Sequence, residues 1–139
     1  MTIAVDFDGT IAEDRYPKIG NEIPFATQTL RMLIQERHKI ILWSVREGVL
    51  LDEAVEWCRE RGVEFYAVNK DFPEEDENKN RHFSRKIKAD IFIDDRNVGG
   101  LPDWGTIYHM IHDGKTYEQV MHEEMGKVEE KPKKKWWQL

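Results

Sequence analysis

The sequence has a single cysteine, Cys58, among its 139 residues. One thiol cannot form an intrachain disulfide, so the fold has to be stable without one. Because Cys58 lies in an amphipathic stretch, residues 50–61, we expect a small buried apolar residue rather than a nucleophile.

The sequence also lacks a long apolar run and an excess of positive charge. No stretch approaches the roughly 20 apolar residues that a membrane span needs, and the first residues show no basic segment or cleavage signal. Lys and Arg number 21 against 27 Asp and Glu, for a formal net charge of −6. We therefore expect a cytoplasmic protein with no membrane partner and no general affinity for nucleic acid.

The length fits one domain with a proper core, which we place at residues 1–130. The composition, 40% hydrophobic and 35% charged, is that of a folded and well-solvated protein. Residues 131–139 form a basic and aromatic tail, with four lysines followed by two tryptophans. This tail could be a frayed terminus, it could pack on the domain or on a second subunit, or it could touch nucleic acid or an anionic surface.

Apolar runs alternate with helical patterns along the chain. Strands are predicted at residues 3–5, 39–44, 63–68 and 89–93, with a weaker fifth at 105–110. Helices are predicted at 25–37, 50–61 and 116–130, and loops at 11–24 and 69–85. This order predicts a three-layer, Rossmann-like α/β fold, a mainly parallel sheet of about five strands flanked by helices. In such sheets ligands bind beyond the carboxyl ends of the strands.

The first strand ends in Asp6-Phe7-Asp8-Gly9-Thr10, two carboxylates, a glycine and a hydroxyl. Residues two apart on a strand face the same side, so Asp6 and Asp8 can converge on one point while Phe7 enters the core. Two ionised acids at one point require a cation, and an all-oxygen site shared with a phosphate suits Mg²⁺.

The other predicted strand ends supply the remaining parts of a phosphoryl-transfer site. Asp6 is placed to be the nucleophile, and Asp8 to protonate the leaving oxygen and later accept a proton from water, with its backbone carbonyl near the metal. Asp94 and Asp95 follow strand four as further metal ligands. The expected phosphate-binding groups are Thr10, Ser44 and a lysine, either Lys86 or Lys88, and the candidate substrate contacts are Arg46 and Arg96.

Four segments in this order resemble the motifs of the haloacid dehalogenase (HAD) superfamily of phosphohydrolases. The first is Asp6-Phe7-Asp8-Gly9-Thr10, the second Ser44, the third Lys86 and the fourth Ile93-Asp94-Asp95-Arg96. The resemblance implies a Rossmann-like sheet, a Mg²⁺ cofactor and an aspartyl-phosphate intermediate on a phosphate monoester substrate. Neither predicted loop has room for the cap domain that many members carry. An open site either accepts a large phosphorylated substrate or is covered by another subunit, so a homo-oligomer stays open.

Two alternatives share these features. A phosphoaspartate receiver module also combines acids, a hydroxyl and a lysine around Mg²⁺, but it would carry its phosphorylated aspartate after the third strand, where Asp71 is the late candidate. A non-catalytic binding module on a similar fold would be expected to have lost Asp8.

Overall fold

The structure is a computed structural model that describes residues 1–75 and 86–130. The tail at 131–139 and the second part of the predicted loop at 69–85 lie outside these residues. The chain divides into two compact units, Met1–Trp104 and Gly105–Leu139. In chain order the elements are β1 (Thr2–Val5), β2 (Ala12–Arg15), β3 (Lys18–Glu22), α1 (Ala26–Gln35), β4 (Lys39–Leu42), α2 (Gly48–Glu60), β5 (Ala67–Val68), β6 (Ile91–Ile93), α3 (Trp104–Asp113) and α4 (Tyr117–Glu130).

The first unit contains a parallel sheet in the order β5-β4-β1-β6. Its strands are short and apolar, and β1 and β4 are almost fully buried, as expected for strands covered on both faces. This confirms a parallel, Rossmann-like α/β architecture. Within the described residues the sheet has four strands, against about five predicted.

The register of the sheet aligns three strand ends. Val5 of β1 lies opposite Leu42 of β4 on one side and Ile93 of β6 on the other. The residues that follow, Asp6 and Asp94 among them, therefore leave the sheet at the same level.

Residues 11–24, predicted to be a loop, form a β-hairpin instead. Strands β2 and β3 pair antiparallel, with Arg15 opposite Lys18 across a turn at Tyr16 and Pro17. The prediction was wrong because both strands are mostly polar and, apart from Ala12, none of their residues is buried, so their sequence lacks the apolar alternation typical of a strand. No large cap domain occurs among the described residues, where the hairpin takes the place of the first predicted loop.

Helices α1 and α2 agree with the predicted positions to within a few residues. Both are amphipathic: α1 buries Leu30 and Leu33, and α2 buries Ala54 and Cys58. The buried cysteine confirms the prediction of a packing role, and burial raises the pKa of its thiol to about 12. The third strand is much shorter than predicted, since β5 contains only Ala67 and Val68.

The predicted fifth strand, residues 105–110, is wrong, because this segment lies in helix α3. Trp104, Ile107 and Ile111 are the buried apolar residues of α3, and their spacing of three and four is helical. This periodicity overrides the strand preference of the β-branched and aromatic residues. Helix α4 confirms the last predicted helix. In the described part of the chain, no helix combines the length and the apolar character needed to cross a membrane.

Candidate metal and phosphate site

Three carboxylates meet where β1 and β6 end. Oxygen atoms of Asp6, Asp94 and Asp95 all lie within 4.8 Å of one another. The backbone N–H of Asp6 donates to the carbonyl of Ile93 at 3.0 Å, which continues the pairing of the two strands up to the site. These three residues can hold a metal ion, and an all-oxygen donor set suits a hard cation.

The electrostatics of Asp6 are those of an acid that lacks a counter-charge. Burial, followed by the negative charge of Asp94, raises the pKa of Asp6 from 3.8 to about 7. A cation bound at the three carboxylates would oppose both causes. The raised pKa follows from the same burial and the same neighbouring carboxylates, and it fits a site that holds a cation.

The turn after Asp6 depends on the backbone carbonyl of Phe7 and on the backbone conformation of Gly9. The carbonyl of Phe7 accepts the N–H groups of Thr10, Ile11 and Ala12, at 2.9 to 3.2 Å. Gly9 has a φ of +83°, and a Cβ there would lie 2.3 Å from Oδ2 of Asp95. Only glycine permits this close approach of the Asp95 carboxylate to the backbone of residue 9.

Thr10 was expected to bind phosphate, but its hydroxyl is buried against two carboxylates of the cluster. Its side chain is fully buried, and its hydroxyl accepts the N–H of Asp95 at 3.0 Å and donates to Oδ1 of Asp95 at 3.1 Å. Oδ2 of Asp6 lies 3.4 Å from the same hydroxyl. The backbone carbonyl of Thr10 accepts the indole N–H of buried Trp104 at 3.0 Å. Thr10 thus orients two carboxylates of the cluster rather than facing a ligand.

Asp8 is held by Arg46. Nε of Arg46 donates to Oδ2 of Asp8 and Nη2 donates to Oδ1, both at 2.7 Å, which is a bidentate ion pair. The Asp8 side chain is 11% exposed and that of Arg46 is 0% exposed. Arg46 was expected at the mouth of the site as a substrate contact, but it is buried because its charge is paired inside the protein. The carboxylate of Asp8 is likewise not among the three that cluster.

Ser44 lies on the loop between β4 and α2, and its position is fixed by two hydrogen bonds. Its backbone N–H donates to Oδ1 of Asn69 at 2.8 Å, and its hydroxyl accepts the backbone N–H of Arg46 at 3.1 Å. Asn69 follows β5 with a φ of +55°, a conformation that asparagine tolerates better than most residues. Sequence reasoning missed Asn69 because nothing in its neighbourhood marks an amide that reaches another strand end.

A pocket of about 290 Å³ opens at these strand ends. The side chains that line it are Asp6, Asp8, Trp43, Ser44, Val45, Asp94 and Arg96. The pocket thus unites residues predicted from three separate strand ends, including the candidate contact Arg96, whose backbone N–H donates to Oδ1 of Asp94 at 2.9 Å. Trp43 was missed as a lining residue because it reads as the end of a buried strand.

The predicted active-site lysine is not brought to this pocket. Lys86 and Lys88 flank buried Ile87, and neither is among the described residues that line the pocket. The ammonium of Lys86 lies 5.5 Å from the ring centre of Phe92, and the backbone N–H of Lys88 donates to Oδ1 of Asp71. The choice between the two lysines stays a prediction.

Comparison with known proteins gives one informative similarity. A solved structure described as that of a conserved protein coded by a locus from Bacteroides thetaiotaomicron is 69% identical to this chain, with a TM-score of 0.82. The match covers 86% of this chain and 96% of that one. The chain belongs to the family of this Bacteroides protein. No protein-family model and no curated protein matches the sequence. The Bacteroides protein is described only as conserved, so the similarity carries a shared fold and no activity.

Proposed function

We propose that the chain is a Mg²⁺-dependent phosphomonoesterase of the HAD type, which acts through an aspartyl-phosphate on Asp6. The observation that carries the proposal is the meeting of Asp6, Asp94 and Asp95 at one point beside a pocket that also contains Ser44. Carboxylates, a hydroxyl and an open pocket at the carboxyl end of a parallel sheet are the parts that phosphoryl transfer needs.

The cation is required by simple electrostatics. A carboxylate 4 Å from a dianionic phosphate experiences a repulsion of several kcal/mol at intermediate dielectric. Mg²⁺ bound by the three carboxylates would offset this repulsion and withdraw charge from the phosphate. It would also favour the ionised form of Asp6, whose pKa of about 7 otherwise leaves much of it protonated near neutrality.

The chemistry takes place in two displacements. A carboxylate oxygen of Asp6 attacks phosphorus and forms an O–P bond, while the bond to the leaving oxygen breaks and that oxygen takes a proton. Water then attacks the phosphorus of the aspartyl-phosphate, loses a proton, and releases inorganic phosphate and free Asp6. Asp8, on the pocket wall, is the group proposed to give the first proton and accept the second.

Two further pocket residues suit recognition of the phosphate and of the rest of the substrate. Ser44 can offer its hydroxyl proton to a phosphate oxygen, because its hydroxyl oxygen already accepts from Arg46 and its loop is held by Asn69. Arg96 is exposed on the pocket wall and can pair with an anionic group.

The test is hydrolysis of p-nitrophenyl phosphate in Mg²⁺ by the wild type and by Asp6→Asn. We expect the variant to lose turnover, since an amide cannot form the acyl phosphate. Asp52→Asn, an exposed position on α2, is the matched control and should retain full activity. Equal activity of Asp6→Asn and wild type would refute the proposal. Stable phosphorylation of Asp71 rather than Asp6 after acetyl phosphate treatment, mapped by mass spectrometry, would favour the receiver alternative.

A further inference from the structure

Arg46 is a fully buried cation whose hydrogen bonds join three separate parts of the fold. Its guanidinium has five N–H groups. Two are directed at the oxygens of Asp8, as described above. The others match three backbone carbonyls: Nη1 donates to Pro17 at 3.2 Å and to Leu50 at 3.4 Å, and Nη2 donates to Lys18 at 2.9 Å.

Two aromatic rings complete the surroundings of this cation. The guanidinium carbon lies 5.2 Å from the ring centre of Phe7 and 5.3 Å from that of Tyr16, both within the range of a cation–π contact. The ion pair with Asp8 is also the main cause that raises the pKa of Arg46. One carboxylate, three carbonyls and two aromatic rings thus stabilise the charge of Arg46, as a buried guanidinium requires.

These contacts show whether the hydrogen-bond donors of Arg46 are directed at the pocket or used within the protein. A substrate-binding arginine keeps N–H groups directed at the pocket, but here the donors are satisfied within the protein and the side chain is inaccessible. The pair also reaches the pocket, because its carboxylate partner Asp8 lines the wall. Arg46 instead links that carboxylate to the turn of the β2–β3 hairpin and to the first turn of α2.

We propose that Arg46 is a positioning residue, which fixes the carboxylate of Asp8 relative to the nucleophile Asp6 and makes its placement depend on the hairpin. Each carboxylate oxygen has two lone pairs, and the bidentate pair takes one on each. A remaining lone pair can carry the proton that goes to the leaving oxygen and can later accept a proton from water, while rotation of the carboxylate is prevented. The kinetic part of this inference rests on the proposed function, and the contact itself can be tested without it.

The first test observes the contact directly by NMR of the full chain. The Nε–H of Arg46 should exchange slowly with water and should shift in Asp8→Asn, because its acceptor is changed. The Nε–H of exposed Arg59 is the internal reference and should exchange fast and stay unshifted. Fast exchange of the Arg46 signal, or no shift in Asp8→Asn, would overturn the proposal. This measurement does not depend on any Arg46 variant folding.

The second test uses the leaving group. An alkyl alcohol leaves only with a proton, whereas p-nitrophenolate leaves without one. Arg46→Lys keeps the charge but loses the bidentate geometry, so kcat for glycerol 2-phosphate should fall about 100-fold and kcat for p-nitrophenyl phosphate about threefold or less. Asp8→Asn should show the same selectivity, and the double variant should lose no more than Asp8→Asn alone.

The matched control is Arg31→Lys, which also removes a partly buried guanidinium, one that donates to the carbonyl of Arg61 away from the pocket. Its activity on both substrates should equal that of the wild type. Equal losses on both substrates in Arg46→Lys would mean a structural role only and would overturn the positioning role. If the wild type hydrolyses neither substrate, the proposed function fails, while the NMR signal of Arg46 still decides whether Asp8 is held.

Discussion

Asp6→Asn is expected to stabilise the metal-free protein while it abolishes catalysis. The carboxyl of Asp6 is held in a place that disfavours its charge, first because of burial and then because of Asp94. An asparagine has nearly the same shape and carries no charge at any pH. Replacing the acid therefore removes an unfavourable ionisation from the folded state only.

The size of this effect follows from the pKa shift. A change from 3.8 to about 7 corresponds to about 4 kcal/mol, at about 1.4 kcal/mol for each pH unit, as an upper limit. Asp6 is only partly buried, so water screens part of this cost. We expect a gain of about 1–2 kcal/mol in the free energy of unfolding.

The destabilisation that Asp6 causes in the wild type should increase with pH. Below the unfolded pKa of 3.8 both states are protonated, and the wild type has no penalty. Between 3.8 and about 7 the folded state keeps its proton while the unfolded state loses it, so the penalty grows with pH, and above about 7 it is complete. The advantage of Asp6→Asn should therefore be larger at pH 8 than at pH 5.

The assay is urea unfolding of both proteins in EDTA at pH 5 and pH 8, followed by circular dichroism. Addition of Mg²⁺ at pH 8 should then stabilise the wild type and not the variant, because a ligand that binds only the folded state adds to its stability. The exposed-site control Asp52→Asn should match the wild type throughout. A variant that is less stable than wild type at pH 8 without metal would refute the electrostatic reasoning.

Three further substitutions test how the carboxylate cluster and the neighbouring Ser44 loop are held in place. Gly9→Ala should weaken Mg²⁺ binding at least tenfold in a calorimetric titration, because its Cβ would lie 2.3 Å from Asp95 and its φ is +83°; unchanged affinity would contradict this. Thr10→Val leaves the partly buried N–H of Asp95 without its acceptor, so urea unfolding should show a loss of about 1–3 kcal/mol, and a loss near zero would argue against the contact. Asn69→Ala should lower the free energy of unfolding by about 1 kcal/mol and weaken inhibition by inorganic phosphate, because the Ser44 loop loses its contact; unchanged inhibition would show that Asn69 does not hold that loop.

The strand-end rule allowed much of the site to be predicted from the sequence. Asp6 and Asp94 are 88 positions apart, yet each directly follows a short apolar strand, and parallel strands end on the same edge. The rule needs only the approximate end of each strand. It therefore survived the errors in strand length and in the fifth strand.

The roles of individual polar side chains could not be predicted in the same way. Thr10 and Arg46 are residue types that bind phosphate when exposed, and both are buried against carboxylates here. Arg46 is buried because the hairpin and the first turn of α2 offer carbonyls to its guanidinium, and the rings of Phe7 and Tyr16 lie beside it. The hairpin itself was missed, so the buried ion pair beneath it had no sign in the sequence.

The position of β6 in the sheet has a consequence for how the protein would lose its metal. Among the described strands β6 pairs only with β1, over three residues, and it is the element that leads into Asp94 and Asp95. A short edge strand is among the parts of a sheet that open most easily in local unfolding. An ion shared by Asp6, which follows β1, and Asp94, which follows β6, would fasten this edge to the centre. Amide exchange in β6 would then report metal occupancy, and binding of the ion and closure of the sheet edge would be a single equilibrium.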